Sequence, residues 1–176
     1  MAWWKRIVFG LLGLIVLLVV VGFFLPAKTR VVRTVQVQAA PEAVYALVAD
    51  PKRWNDWAVW NRRDPGMTIT YSGAASGAGA VWAWQSKTQG DGRMTFTAAE
   101  PGRRLAYDLY FPDWDSTSTG ELLLQPQGGG TQVSWSMVVN FGGNPVWHWM
   151  GLMADRMVGP DFEQGLASLK ALAEKR

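Results

Sequence analysis

The sequence predicts an α+β fold: a curved antiparallel sheet crossed by a long C-terminal helix, preceded by one transmembrane helix. Three observations carry this. Ile7 to Leu25 is a run of 19 residues without a charge or a strongly polar group. From Met67 to Asn140, short runs rich in β-branched and aromatic residues alternate with turn signals, at spacings too short for helical crossovers. Asp161 to Glu174 places Phe162, Leu166, Leu169 and Leu172 along one side of a helix.

The apolar run comes first. At 1.5 Å per residue it covers about 28 Å, against a hydrocarbon thickness of about 30 Å. A buried helix of a soluble protein shows a polar face, and this run shows none. It is longer than a signal-peptide core of about 7–15 residues, and Leu25 stands where cleavage needs a small side chain. A retained, single-pass anchor is therefore expected. Trp3 and Trp4 fit an interfacial belt. Lys5 and Arg6 before the run resemble a signal-anchor start, which puts the soluble part on the extracytoplasmic side; Lys28, Arg30 and Arg33 oppose that assignment. The expected division is residues 1–29 as anchor and linker and residues 30–176 as one domain, a size at which a core needs no metal or disulfide.

The elements then follow in order. Arg30–Gln38 alternates as a strand. Pro41 opens a helix with Val44, Leu47 and Val48 as its apolar stripe, and Asp50-Pro51 stops it. Lys52–Trp60 is a second short helix or turn, with Trp54 and Trp57 on one side. Strands are predicted at Met67–Ser72, Ala80–Ser86, Arg93–Ala99, Arg104–Phe111, Ser118–Gln125 and Thr131–Asn140, joined by glycine-rich or Pro-Gly turns. A helical, Met/Trp-rich stretch, Val146–Met157, is interrupted by Gly159-Pro160 before the final helix. Such a sheet under a single helix does not easily fill its interior, so an apolar cavity is expected there.

Pro41-Glu42-Ala43-Val44-Tyr45-Ala46-Leu47-Val48-Ala49-Asp50-Pro51-Lys52-Arg53-Trp54, with this element order, resembles the opening of the polyketide cyclase/dehydrase and lipid-transport family. That family belongs to the START-like (Bet v 1-like, SRPBCC) superfamily. Gly79–Trp84, Gly130–Trp135 and Phe162–Lys170 are similar to its later signatures. The resemblance runs from Arg30 to the end and implies a helix-grip fold, a curved sheet wrapped around the C-terminal helix. Its members include lipid and sterol carriers, coenzyme-Q-binding proteins, aromatic cyclases, hormone-binding proteins and chaperone activators. It therefore implies a cavity and not a reaction. The anchor is a departure from most soluble members.

Composition narrows the chemistry. There are no cysteines and one histidine, which excludes disulfides, thiol catalysis and cysteine-ligated metals. No metal site and no cofactor are expected. The formal net charge is +3, with much of the excess beside the apolar run, and no basic stretch interleaves with aromatics; nucleic-acid binding is not expected. His148, between Trp147 and Trp149, has no orienting carboxylate nearby in sequence and is taken as a helix-start residue near an interface or cavity mouth. Asp113 and Asp115 are taken as solvated loop charges and Asp108 as outward-facing.

Eleven tryptophans exceed ordinary usage. Trp82, Trp84, Phe96, Tyr107, Trp135 and Met137, from four strands, are candidate cavity walls. Trp149, Met153, Phe162 and Leu166 are the helical candidates, and Trp147–Met157 fits either a lid or a segment docked on the sheet. The predicted function is a membrane-anchored binding protein for a hydrophobic small molecule, of lipid, quinone or polyketide-like aromatic type. Its partners are that ligand and the bilayer around Ile7–Leu25; the oligomeric state is left open. The alternatives are a cyclase- or hydratase-type enzyme, which needs a polar group in the cavity, and a regulatory interaction module, which needs an exposed apolar patch and no void.

Overall fold

The computed structural model describes residues 3–175. Helix α1 (Trp3–Phe24) buries only Gly22 and is long and apolar enough to cross a membrane. Strand β1 (Lys28–Val37) starts two residues before the predicted one. Lys28 and Thr29 pair with Asn140 and Val139, and the Phe141 amide donates to the Ala27 carbonyl (2.9 Å). Half of the expected linker, Lys28 and Thr29, is thus sheet, because its backbone groups find partners there rather than in water.

Helix α2 (Pro41–Val48) buries Val44, Leu47 and Val48, as its stripe predicts. Asp50 accepts from the Lys52 amide (2.8 Å) and caps a 3-10 turn at Pro51–Arg53. Two single turns follow, α3 (Trp54–Trp57) and α4 (Trp60–Arg63). Trp54 and Trp57 are wholly buried, and their indoles donate to the carbonyls of Val48 (2.7 Å) and Leu47 (3.2 Å). The end of α2 is satisfied by these two side chains.

Six strands then form a meander: β2 (Thr68–Gly73), β3 (Ala80–Gln85), β4 (Gly92–Glu100), β5 (Arg104–Phe111), β6 (Ser116–Gln127) and β7 (Gly130–Asn140). All pairs are antiparallel, and β1 closes on β7, giving the order β1-β7-β6-β5-β4-β3-β2. A bulge between Phe96 and Ala98 bends β4, the local device for sheet curvature.

Helix α5 (Pro145–Gly151) is capped by the Asn144 side chain, which accepts from the Val146 amide (3.0 Å). Helix α6 (Ala154–Ala173) crosses the concave face. Two expectations need correction here. The predicted helix over Val146–Met157 breaks at Leu152–Met153, and Gly159-Pro160 does not interrupt α6. A proline inside a helix costs roughly 3 kcal/mol, so tertiary contacts must offset it. Arg33 of β1 supplies one set. Its guanidinium lies over Gly159 so closely that a Cβ has no room. It donates to Asp155 (2.8 and 3.0 Å) and to Glu163 (2.6 Å), bracketing Pro160 from both sides. Those bonds hold the Asp155 carboxyl below its usual range. Phe162 supplies the other, stacked on Trp135 with centroids 3.9 Å apart and 4° between planes.

Candidate ligand cavity

The space under α6 is divided. Toward α2 and α3 it is filled by aromatic side chains. Trp54 meets Trp82 (5.1 Å), Tyr107 (5.7 Å) and Trp135 (5.7 Å) edge-on, arrangements worth about 0.5–1.5 kcal/mol each beyond burial. The Trp135 indole donates to the Tyr107 hydroxyl (2.8 Å). Burial pushes the Tyr107 phenol well above its ordinary value.

Toward α5 the space is open. A cavity of about 380 Å³ lies between the sheet and the start of α6. That is within the range of about 300–1,000 Å³ typical of small-molecule sites. Its floor is Trp82, Trp84, Met94, Leu109, Phe111, Met137 and Val139, contributed by β3, β4, β5 and β7. Its roof is Trp147 and Met150 of α5 with Met157 and Val158 of α6. Trp114, in the β5–β6 turn, stands at its edge and is largely exposed.

Besides Asn61 and Gln89, polar groups with hydrogen-bond partners gather at two places on this wall. Asp161 of α6 is 7% exposed and accepts from the Trp60 indole (3.0 Å) and both terminal nitrogens of Arg63. Ser116 donates to the Asn140 carbonyl (2.5 Å), and Ser118 accepts from the Asn140 amide (3.0 Å). Among the described residues, no buried side-chain nitrogen or oxygen lacks a partner. Most of the wall is apolar, with Asn61 and Gln89 as further polar members, so apolar burial is the main source of affinity for an occupant.

Of the ten candidate residues, Trp82, Trp84 and Met137 line this cavity. Phe96, Tyr107, Trp135 and Phe162 lie in the solid aromatic core instead, where they contact one another and Trp54 rather than the open space. Leu166 is buried beneath a shallow groove between β1 and α6. Trp149 turns away and donates to the Leu18 carbonyl of α1 (3.0 Å), and Met153 faces outward at the α5–α6 break. Periodicity identified inward faces, but not which inward residues meet each other and which meet empty space. Trp60, Arg63 and Asp161 were missed. Asp161 sits 98 positions from Arg63, and no local pattern links them.

His148 is buried on α5 and does not face the cavity. Its Nδ1 lies 2.9 Å from the Gly22 carbonyl of α1 and its Nε2 lies 3.0 Å from the Gly142 carbonyl. Asp108 is half-buried on the opposite sheet face from Tyr107 and Leu109, and Asp113 and Asp115 are exposed.

The sequence pattern of the family described as polyketide cyclase / dehydrase and lipid transport matches residues 28–174. The chain belongs to that family. Its fold is shared with solved structures at low identity. Protein CV1439 from Chromobacterium violaceum is 20% identical with a TM-score of 0.57, over 86% of this chain and 99% of that one. A subunit of the Aha1 dimer from Colwellia psychrerythraea is 16% identical with a TM-score of 0.57, over 84% and 97%. The di-domain ARO/CYC protein StfQ of the steffimycin biosynthetic pathway is 16% identical with a TM-score of 0.63, over 85% of this chain and 52% of that one. At these identities the likeness shows the helix-grip fold alone. No curated protein matches the chain.

Proposed function

We propose that the protein is a membrane-anchored carrier or receptor for an apolar small molecule held under the first half of α6. The observation that carries this is the cavity of about 380 Å³, whose floor and roof are aromatic, methionine and aliphatic side chains from four strands and two helices. An occupant burying on the order of 300 Å² of apolar surface gains roughly 7 kcal/mol gross. Association and ordering consume part of that. A rigid ring system or a short acyl chain fits this magnitude. Arg63, Asp161 and Trp60 form a polar pole at one side of the wall, suited to orienting a head group. The helix α1 would keep the cavity beside the membrane in which such molecules dissolve.

The enzyme reading draws on Asp161, the carboxylate in the wall. Its oxygens are engaged by Arg63 and Trp60, an arrangement that suits positioning rather than proton transfer. Binding without reaction is therefore the better-supported function.

The test is extraction of the purified full-length protein with organic solvent, followed by mass spectrometry. A recurrent apolar compound is expected, and a cavity-filling Leu109→Trp substitution should abolish its recovery. Extracts that are empty from both proteins, together with no uptake from a panel of quinones and fatty acids, would sink the reading.

A further inference from the structure

The outer end of α1 is not free of the domain. Helix α5 lies against it. Trp149 donates to the Leu18 carbonyl (3.0 Å), and the His148 ring meets the Gly22 carbonyl (2.9 Å). The backbone of Pro145 approaches Gly22 so closely that no Cβ fits between them. These contacts fix the depth of α5 along the α1 axis. Leu18 precedes Leu25, the end of the apolar run, by seven residues, or about 10 Å of helix rise. Gly22 precedes it by three, or about 4.5 Å.

That depth leaves two choices for the membrane boundary. If α5 stood wholly in water, only Ile7–Leu17 would remain to cross the hydrocarbon, about 16 Å where about 30 Å is needed. If the whole run Ile7–Leu25 is used, α5 lies about 5–10 Å inside the boundary, the depth of interfacial amphipathic helices. The side chains favour the second choice. Val146, Trp147, Leu152, Met153 and Met157 are between 45% and 61% exposed. From Pro145 to Ala154 there is no Asp, Glu, Lys or Arg, and the one titratable side chain, His148, is buried. Charges resume at Asp155 and Arg156 on one side and at Lys28 and Arg30 on the other, all exposed. Asp113 and Asp115 flank Trp114 at the cavity edge.

We infer that α5 and the α5–α6 break are a second membrane element, immersed in the acyl–headgroup boundary with Asp155 and Arg156 at headgroup level, so that the cavity mouth between Trp147 and Met157 opens into lipid rather than water. This rests on the reading of α1 as a membrane span and of the cavity as an apolar site. Its consequence is that an occupant moves sideways between bilayer and cavity without crossing water. Trp147 and Met157 carry the link, since both are exposed and both line the cavity.

The chain has no cysteine, so single reporters can be introduced without background. The full-length protein is placed in phosphatidylcholine vesicles with an environment-sensitive fluorophore on one of four substitutions: Val16→Cys in α1, Leu152→Cys after α5, Met157→Cys at the mouth, or Ala171→Cys near the end of α6. Bromine-labelled acyl chains then serve as quenchers. Strong quenching at positions 16, 152 and 157 with none at 171 is expected. Quenching at 16 alone overturns the inference while leaving α1 as an anchor. Quenching at 16 and 152 but not at 157 overturns the lipid-facing mouth. No quenching at 16 sinks the span itself, and the inference with it. Circular dichroism of each labelled protein guards against misfolding.

Discussion

Helix α6 covers two regions of one sheet face, and it treats them differently. From Phe162 onward it closes on an aromatic core in which Trp54, Trp57, Trp135 and Tyr107 are almost wholly buried. From Ala154 to Asp161 it roofs a cavity. The residue types are nearly the same in both regions. What differs is the source of the filling side chains. The short turn α3 places Trp54 and Trp57 in one end. At the other end the corresponding place is spanned by α5, which is drawn toward α1 by His148 and Trp149. An apolar interior is therefore not by itself a binding site; it becomes one where no element supplies the plug.

This contrast can be broken from the solid side first. Trp54→Ala removes a wholly buried indole and its bond to Val48, and should cost about 3–5 kcal/mol in chemical denaturation of the detergent-solubilised protein. Leu109→Ala at the cavity floor should cost less, about 2 kcal/mol, because the void is already present and only its wall recedes. Equal losses would mean that the cavity is collapsed in solution.

Asp161→Ala comes next. It strips Arg63 and Trp60 of their shared acceptor. Arg63 is itself partly exposed, so water recovers some of the loss, and about 1–3 kcal/mol is expected. The proposed function adds a sharper readout: a polar-headed ligand should be retained less well by this variant than a pure hydrocarbon.

Tyr107→Phe probes the joint between the regions. It leaves the Trp135 indole without its acceptor and should cost about 1–2 kcal/mol near neutral pH. The pH dependence has a definite sign. Burial favours the neutral phenol, so its contribution is fully present below the ordinary value of 10.0 and is lost as pH rises past it. The variant should flatten that alkaline decline in a urea titration. Part of the decline should persist, since burial also raises Tyr45.

The smallest effect on stability belongs to Leu109→Trp. Filling open space should change the unfolding midpoint little while removing ligand uptake. A large destabilisation with uptake intact would show that ligand and tryptophan occupy different space.

Much of the architecture could be read from residues alone. Alternating runs and turn glycines specified all seven strands to within two residues of their observed limits, and the resemblance beginning at Pro41 matched the fold. The reasons for the misses are local to particular side chains. Gly159-Pro160 carries the signal of a helix break, and the contacts that offset it come from outside the helix: Arg33, more than a hundred residues earlier, and Trp135, stacked on Phe162. Trp82 and Phe96 both point inward by periodicity, yet one borders the cavity and the other does not.

The amino-acid order by itself determined which faces are apolar, where the backbone turns, and that one segment has the length and composition of a membrane span. These are properties of neighbours within a few residues, set by side-chain period and backbone sterics. Tertiary structure decided where the interior stays empty, that Arg63 meets Asp161, and that α5 lies along α1. Those outcomes depend on which distant side chains arrive at the same place, and a void is defined by what fails to arrive.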